Sequence, residues 1–218
     1  MNIESRSRPA EVSDERRSEA RSATVFRPVL IETDQFAGFC LVRNLSALGL
    51  MGRVYTSFAE GMEIAVEFHP DKSVRGTIMW SRDGEIGVQF CEAIDVDQVL
   101  SDLARNLVAG KINRAPRLQM RCKAELAIGD RSLAIELQDV SQRGMKVSTS
   151  FVKPGDEVQV RIDGLEPRKA TVRWTQPGTA GLNFHRALSF EELARWVIDQ
   201  QASRWSSGET SRPAGGVK

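Results

Sequence analysis

The chain has 218 residues, with 30 Lys and Arg against 29 Asp and Glu, so its formal net charge is +1. A charge this near zero argues against bulk nucleic-acid binding, which needs a strongly basic face. The hydrophobic share of 41% is enough for one large or two ordinary domains. No metal-ligand pair, export signal or membrane-length apolar run is present, so we expect a soluble cytoplasmic protein without membrane insertion.

The first half of the chain predicts short strands and then one helix. Residues 1–15 are polar and of mixed charge, which predicts a disordered tail. Alternating apolar residues predict strands around Phe26, Pro28 and Leu30, around Phe39 and Leu41, from Met62 to Phe68, at Ile78 and Trp80, and from Ile86 to Phe90. Turn residues separate these runs at Asp34-Gln35, Glu60-Gly61, Pro70-Asp71 and Asp83-Gly84.

A helix closes the first half. Asp95 with Gln98 three residues later has the form of a capping box, and apolar residues then recur at helical spacing as far as Leu107. Gly110 is expected to end this helix.

The second half repeats the first in the same order. The segments at 44–52, 75–81 and 84–90 recur at 139–147, 169–175 and 178–184. The closing helix recurs too, with Ser189 and Glu192 as its capping box. We therefore expect a tandem duplication with units at 16–109 and 113–203, followed by a disordered tail at 206–218.

The fold class follows from these strands. Many short antiparallel strands in about ninety residues favour a small closed barrel, which removes exposed sheet edges. The chain is predicted to be mainly β, with two antiparallel barrels that are each followed by a C-terminal α-helix. Trp80 and Trp174, which occupy matched strands, are expected to pack in the cores. Cys40, Cys91 and Cys122 are expected to act as small hydrophobes.

Two short motifs carry the chemistry of the first unit. Arg17 and Arg21 have the spacing RxxxR, with Arg16 directly before them, and Asn44, Ser46 and Gly49 have the form [D/N]xSxxG. In this order, and followed by the strand that ends at Trp80, they resemble the PilZ domain, the bacterial receptor module for cyclic di-GMP. The resemblance implies six-stranded barrels, a second-messenger ligand at these six residues and no enzymatic activity. In that family, an Arg before RxxxR goes with capture of a nucleotide dimer, which Arg16 would provide here.

The residue types suit that ligand. Arg offers a planar fork of donors to phosphate oxygens and to guanine O6 and N7. The Asn44 amide can accept from a guanine N–H, Ser46 can serve a base or a ribose, and Gly49 permits close backbone approach. Taken alone, the arginines would be a solvated tail and the Asn-Ser-Gly set an ordinary turn.

The second unit departs from the pattern. Asp139, Ser141 and Gly144 keep the second motif, but Arg117 matches Arg21 and the position four before it is Asn113. Asn cannot supply a guanidinium fork. Arg114, Arg117, Asp139, Ser141 and Gly144 would form at most a weaker second site, so this unit is expected to be degenerate or to bind a partner.

Three functions compete at this point. The first is a cyclic di-GMP effector that senses its ligand through the first unit and signals through an unidentified protein partner. The second is a tandem module that binds proteins but no nucleotide. The third, a small-barrel RNA binder, is disfavoured because the sequence shows no clustered surface aromatics and no basic patch. No nucleic-acid partner, metal or catalytic residue is therefore expected.

Overall fold

The computed structural model describes residues 23–69, 72–108 and 115–206. The first unit contains six strands and one helix: β1 Ala23–Glu32, β2 Ala37–Ser46, β3 Gly49–Arg53, β4 Glu63–His69, β5 Lys72–Arg82, β6 Glu85–Phe90 and α1 Val96–Val108. The second unit repeats this order: β7 Leu118–Ile128, β8 Arg131–Ser141, β9 Gly144–Ser148, β10 Glu157–Ile162, β11 Leu165–Gln176, β12 Thr179–Phe184 and α2 Phe190–Ser206.

Each set of six strands closes on itself. The strand order is β1-β2-β3-β6-β5-β4 in the first barrel and β10-β11-β12-β9-β8-β7 in the second, and all pairs are antiparallel. Because each barrel is closed, every strand has a hydrogen-bonded neighbour on both sides. This confirms the predicted fold class of two small antiparallel barrels, each followed by a helix.

The two barrels also share their irregularities. Each has a register shift at three corresponding places, which are Thr24/Arg27 with Gln119/Cys122, Val42/Asn44 with Leu137/Asp139, and Ile78/Trp80 with Val172/Trp174. A β-bulge inserts one residue and re-aims the side chains beside it. Bulges at matched positions therefore place equivalent residues on equivalent faces of both barrels.

The sequence pattern of β1 predicts a strand but does not fix which of its faces points inward. Val25, Val29 and Ile31 are buried in the first core, whereas Phe26 is 64% exposed. Both faces of this strand are apolar, and Leu30 on the outward face packs against the cluster of the second barrel. An alternation of apolar and polar residues, which would have fixed the face, is thus missing here.

Other local predictions are confirmed. In β4, Ile64 and Val66 are buried. The Asp95 carboxylate accepts from the Gln98 backbone N–H at 2.9 Å, and the Ser189 hydroxyl accepts from the Glu192 backbone N–H at 3.1 Å, so both helices begin with the expected caps. The predicted turn at Pro70-Asp71, Gly110 and the two tails lie outside the described residues.

The cysteines differ from one another. Cys40 is fully buried in the first core, and burial raises the pKa of its thiol to about 12. Cys122 is half-buried and Cys91 is exposed, so the expected role of small core hydrophobe is wrong for Cys91.

Helix α2 contacts both barrels. Leu193, Trp196 and Val197 are buried in the second core. On the opposite side, the Gln201 amide donates to the Ala37 carbonyl oxygen at 2.5 Å and accepts from the Ala37 N–H at 3.2 Å.

Aromatic rings complete this contact. The Phe190 ring lies 6.5 Å from the Phe39 ring and 6.0 Å from the Tyr55 ring, and the Arg195 guanidinium lies 4.8 Å from the Tyr55 ring centroid. Phe39, in strand β2 of the first barrel, is therefore buried within the apolar cluster of the second. Neither described helix is long and apolar enough to cross a membrane.

Candidate functional site

An open groove of about 340 Å³ lies on the first barrel where β2, β3, β6 and β5 run side by side. It contains Asn44, Ser46 and Gly49, the three residues of the [D/N]xSxxG motif in the first unit. We call it the first-barrel groove; its further lining residues are Leu45, Leu48, Leu50, Met51, Met79, Trp80, Gly87, Val88 and Gln89. None of these described lining residues has a charged side chain.

Ser46 and Gly49 shape the turn between β2 and β3. The Ser46 hydroxyl donates to the Gly49 carbonyl oxygen at 3.1 Å. A Cβ on Gly49 would lie 2.3 Å from the Val88 carbonyl oxygen, so glycine is needed here because strand β6 comes close. The turn therefore places Asn44 at the groove, and the Asn44 amide has no hydrogen-bond partner among the described residues. Among the described residues, no group competes with a ligand for this amide.

Trp80 forms part of the groove rather than the core, so its predicted packing role is wrong. A Cβ on Gly87 would lie 2.1 Å from the Trp80 Nε1 atom, which shows that the indole rests directly on the glycine backbone. The Arg82 guanidinium lies 5.1 Å from the centroid of the Trp80 ring. Leu48 and Met79 beside it are 59% and 50% exposed. A planar aromatic ligand can stack on such a surface.

The second barrel builds the same turn from its own residues. The Ser141 hydroxyl donates to the Gly144 carbonyl oxygen at 3.1 Å, and a Cβ on Gly144 would lie 2.0 Å from the Leu182 carbonyl oxygen. Asp139, however, already has a partner, because Arg117 donates to its carboxylate at 2.5 Å. Asp139 is only 6% exposed, so its carboxylate is both buried and neutralised.

The strand register revises the position of Arg117. Leu118 lies opposite Val140 as Ala23 lies opposite Leu45. Arg117 therefore corresponds by count to Ser22, and the predicted match with Arg21 is wrong by one residue. Sequence comparison missed this because the segment before β1 has no fixed pattern to align. The ion pair with Asp139 was also missed; the Asn-to-Asp change between the two units was its only signal.

Four of the predicted site residues lie outside the described residues: Arg16, Arg17, Arg21 and Arg114. Thr24, however, lies directly opposite Asn44 in the β1–β2 pair. The segment that carries Arg17 and Arg21 therefore joins β1 at the strand position beside the groove. Among the described residues, no cluster of three or more His, Cys, Asp or Glu side chains could hold a metal ion.

The PilZ domain model matches this sequence twice, over residues 15–109 and 112–199. The chain belongs to the PilZ domain family. Both matches include an [D/N]xSxxG motif, so the first-barrel groove and its second-barrel counterpart occupy the same place in two PilZ domains.

Solved structures resemble this PilZ protein weakly. PlzA of Borreliella burgdorferi in complex with c-di-GMP has a TM-score of 0.38 at 10% identity, covering 84% of this chain and 95% of that one. The inhibitor of motility MotI/DgrA of Bacillus subtilis has a TM-score of 0.33 at 12% identity, covering 83% and 98%. YcgR of Escherichia coli in complex with c-di-GMP has a TM-score of 0.31 at 12% identity, covering 84% and 88%.

These TM-scores are low, so the family match alone assigns the fold family. No curated protein sequence matches this PilZ protein significantly.

Proposed function

We propose that this PilZ protein is a cytoplasmic, non-enzymatic receptor that binds cyclic di-GMP in the first-barrel groove. The observation that carries the proposal is the Asn44 amide, which has no hydrogen-bond partner among the described residues and lies in an open groove beside Ser46 and the Trp80 indole. The family match supports the ligand class.

The groove and the arginine segment have complementary roles. The described lining residues are uncharged and partly apolar, which suits guanine faces but offers the two phosphates of the ligand little counter-charge besides that of Arg82 over the Trp80 ring. Arg17 and Arg21 supply that charge from the segment that enters β1 opposite Asn44. Arg21 is three residues before Thr24 in the sequence. Arginine forks can pair with phosphate oxygens and stack on a base.

The second barrel is not an equivalent receptor in this proposal. Its Asp139 carboxylate is engaged by Arg117, and both groups would have to separate before either could meet a guanine. The weaker site formed by Arg114, Arg117, Asp139, Ser141 and Gly144 is therefore expected to stay empty at ligand concentrations that fill the first barrel.

Signalling in this proposal proceeds through the N-terminal segment. A ligand shifts a conformational equilibrium only through contacts that differ between the two states. Those contacts lie at residues 16–21 and the groove, so ligand orders the segment over the first barrel and creates a surface for a protein partner. Hydrogen exchange should show protection of residues 15–25 and 44–49 on ligand addition, with 109–118 little changed. Strong protection of 109–118 alone would instead identify the connector as the sensor.

Titration calorimetry with cyclic di-GMP tests the receptor role. Arg17→Ala and Arg21→Ala should each weaken binding by about one to two decades, because each loses a charge-assisted contact of roughly 1.5–3 kcal/mol. The control variant Arg114→Ala removes the same charge from the start of the second unit and should bind cyclic di-GMP like wild type. With Arg16 present, we expect two nucleotides per chain.

The outcomes separate the alternatives. Wild-type affinity in both Arg17→Ala and Arg21→Ala would show that the site is elsewhere. An absence of heat at near-millimolar ligand would leave the tandem module that binds only proteins.

A further inference from the structure

Three basic residues that have no side-chain partner among the described residues lie near an exposed indole on the second barrel. Arg143, Lys146 and Arg173 form no ion pair and no side-chain hydrogen bond within the described part of the chain. Trp174, next to Arg173, is 39% exposed. Lys146 lies opposite Gly181 across one strand pair, and Trp174 lies opposite the same Gly181 across the next. Lys146 and Trp174 are therefore two strand spacings apart, about 10 Å.

These residues occupy the counterpart of the first-barrel groove. Leu48, Met51 and Met79 line that groove, and the matched registers and bulges place Arg143, Lys146 and Arg173 at the same positions of the second barrel. Three apolar positions of one PilZ domain are thus basic in the other. We call the set Arg143, Lys146, Arg173 and Trp174 the second-barrel face.

The second-barrel face is positive in spite of the nearby Asp139. Arg117 neutralises that carboxylate, and Asp139 is buried beneath the face. The near-zero charge of the whole chain is an average of unlike halves, because residues 23–108 contain more acidic than basic residues and residues 115–206 contain more basic than acidic ones. The basic patch and surface aromatic that the sequence did not reveal are therefore both present here.

The indole is positioned as a stacking platform. A Cβ on Gly181 would lie 2.1 Å from the Trp174 Nε1 atom, so one side of the ring lies on the backbone of β12. The exposed part of the ring is left for solvent, and Lys146 lies beyond Gly181 in the strand register while Arg173 precedes Trp174 in the chain. Aromatic rings flanked by cations are the arrangement by which small barrels bind unpaired bases and their phosphates.

We infer that the second-barrel face binds single-stranded nucleic acid, with one base stacked on Trp174 and adjacent phosphates paired with Arg143, Lys146 and Arg173. A duplex does not fit this arrangement, because its bases are already stacked on one another and offer no free face to the indole. Three cations spread over several strands also suit a run of successive phosphates better than a single anion. This inference does not depend on cyclic di-GMP binding by the first barrel.

Fluorescence anisotropy of the full chain with labelled oligo(dT) tests the inference. The probe has about twelve nucleotides, within the roughly 4–16 that one small barrel covers. Between about 50 and 200 mM salt, three phosphate contacts predict a slope of log affinity against log salt of about −2, and removal of one cation should reduce it by about 0.7. Trp174→Ala should weaken binding about tenfold, the worth of one stacked base.

Matched variants show whether the second-barrel face or the overall charge of the chain is responsible for oligonucleotide binding. Lys146→Ala and Arg173→Ala should each weaken binding and flatten the salt slope. Arg131→Ala removes the same charge from the far end of β8, eight residues from Asp139 along the strand, and should leave binding unchanged. Variants that alter binding must retain the circular dichroism spectrum of wild type.

Five results would overturn the inference. The first four are no anisotropy change at protein concentrations up to roughly 10⁻⁴ M, the weak end of the range for nonspecific binders; equal binding of Trp174→Ala; equal binding of a duplex of the same sequence; and displacement of the oligonucleotide by an equal charge of polyglutamate. The fourth would identify a general anion site instead. Loss of binding in wild type on adding cyclic di-GMP, restored by Arg17→Ala, would place the oligonucleotide in the first-barrel groove and equally overturn it.

Discussion

The two barrels of this protein keep the same turn but differ in the face that surrounds it. In both, a serine hydroxyl donates to a glycine carbonyl oxygen and that glycine lies against a neighbouring strand. Beside the turn, the first barrel has the Asn44 amide, which has no partner in the described part of the chain, whereas the second has Asp139 paired with Arg117. The contacts that hold the backbone are thus shared, and the side chains that would meet a ligand have diverged. A motif match alone therefore identifies a turn, and its surroundings decide what binds.

The largest effect is expected from Arg117→Ala, which breaks the feature that most distinguishes the second barrel. Losing one partner of a buried ion pair costs about 3–5 kcal/mol. The Arg117 side chain is 40% exposed, so solvent screens part of the pair and we expect the free energy of unfolding to fall by about 2–3 kcal/mol. Urea unfolding followed by tryptophan fluorescence measures this change.

The double variant Arg117→Ala/Asp139→Asn supplies the control for that prediction. It installs the amide of the first barrel and removes the buried charge, so most of the lost stability should return. A double variant as unstable as Arg117→Ala would show that Arg117 acts through packing and not through the carboxylate.

Gly87→Ala and Gly181→Ala should have the next largest effect. In each, the new Cβ would lie 2.1 Å from an indole Nε1 atom, so the ring must lift, at a cost of about 1–3 kcal/mol in stability. Both variants should lose near-ultraviolet dichroism, but only Gly87→Ala should weaken cyclic di-GMP binding in calorimetry. An equal loss of affinity in Gly181→Ala would show that the second barrel also takes part in binding.

Asn44→Ala, set beside a change at the matched residue of the second barrel, tests which barrel binds cyclic di-GMP. Loss of one hydrogen bond to a guanine should weaken cyclic di-GMP binding about tenfold, or about 1.4 kcal/mol. Asp139→Ala, at the matched position, should leave the affinity unchanged in the same titration. The reverse pattern would place the receptor in the second barrel.

The smallest effect is expected from Ser46→Ala and Ser141→Ala, which test what the barrels share. Each variant removes one hydroxyl-to-carbonyl hydrogen bond of 3.1 Å, so each should lower stability by about 1 kcal/mol. Denaturation midpoints compared at equal slope measure both. A clearly larger loss in one barrel would mean that the turns are not equivalent after all.

Repetition and capping made much of the fold predictable from sequence. The same segments recur in order, and the residues Asp95 and Ser189 cap their helices as predicted. These features are local, or depend only on order along the chain. The inward face of β1 was not predictable from the sequence, because its outward side is also apolar and packs against the second barrel.

The candidate site was predictable in part. Asn44, Ser46 and Gly49 were found from their spacing, and the structure brings them together at one groove. Trp80 and Trp174 were assigned to the cores because large aromatic residues usually lie there. Their actual position depends on a glycine in the adjacent strand, Gly87 or Gly181, which is a pairing that no linear pattern records.

Helix α2 gives this duplication an asymmetry that its sequence conceals. It follows the second barrel in the chain, yet Gln201 satisfies both backbone groups of Ala37 in the first barrel and Phe190 lies against Phe39 and Tyr55. Unfolding of the second barrel must therefore also expose an apolar surface and an unpaired peptide group on the first barrel. The two repeats are linked in their stability, and neither could be exchanged for a second copy of the other without leaving that surface uncovered.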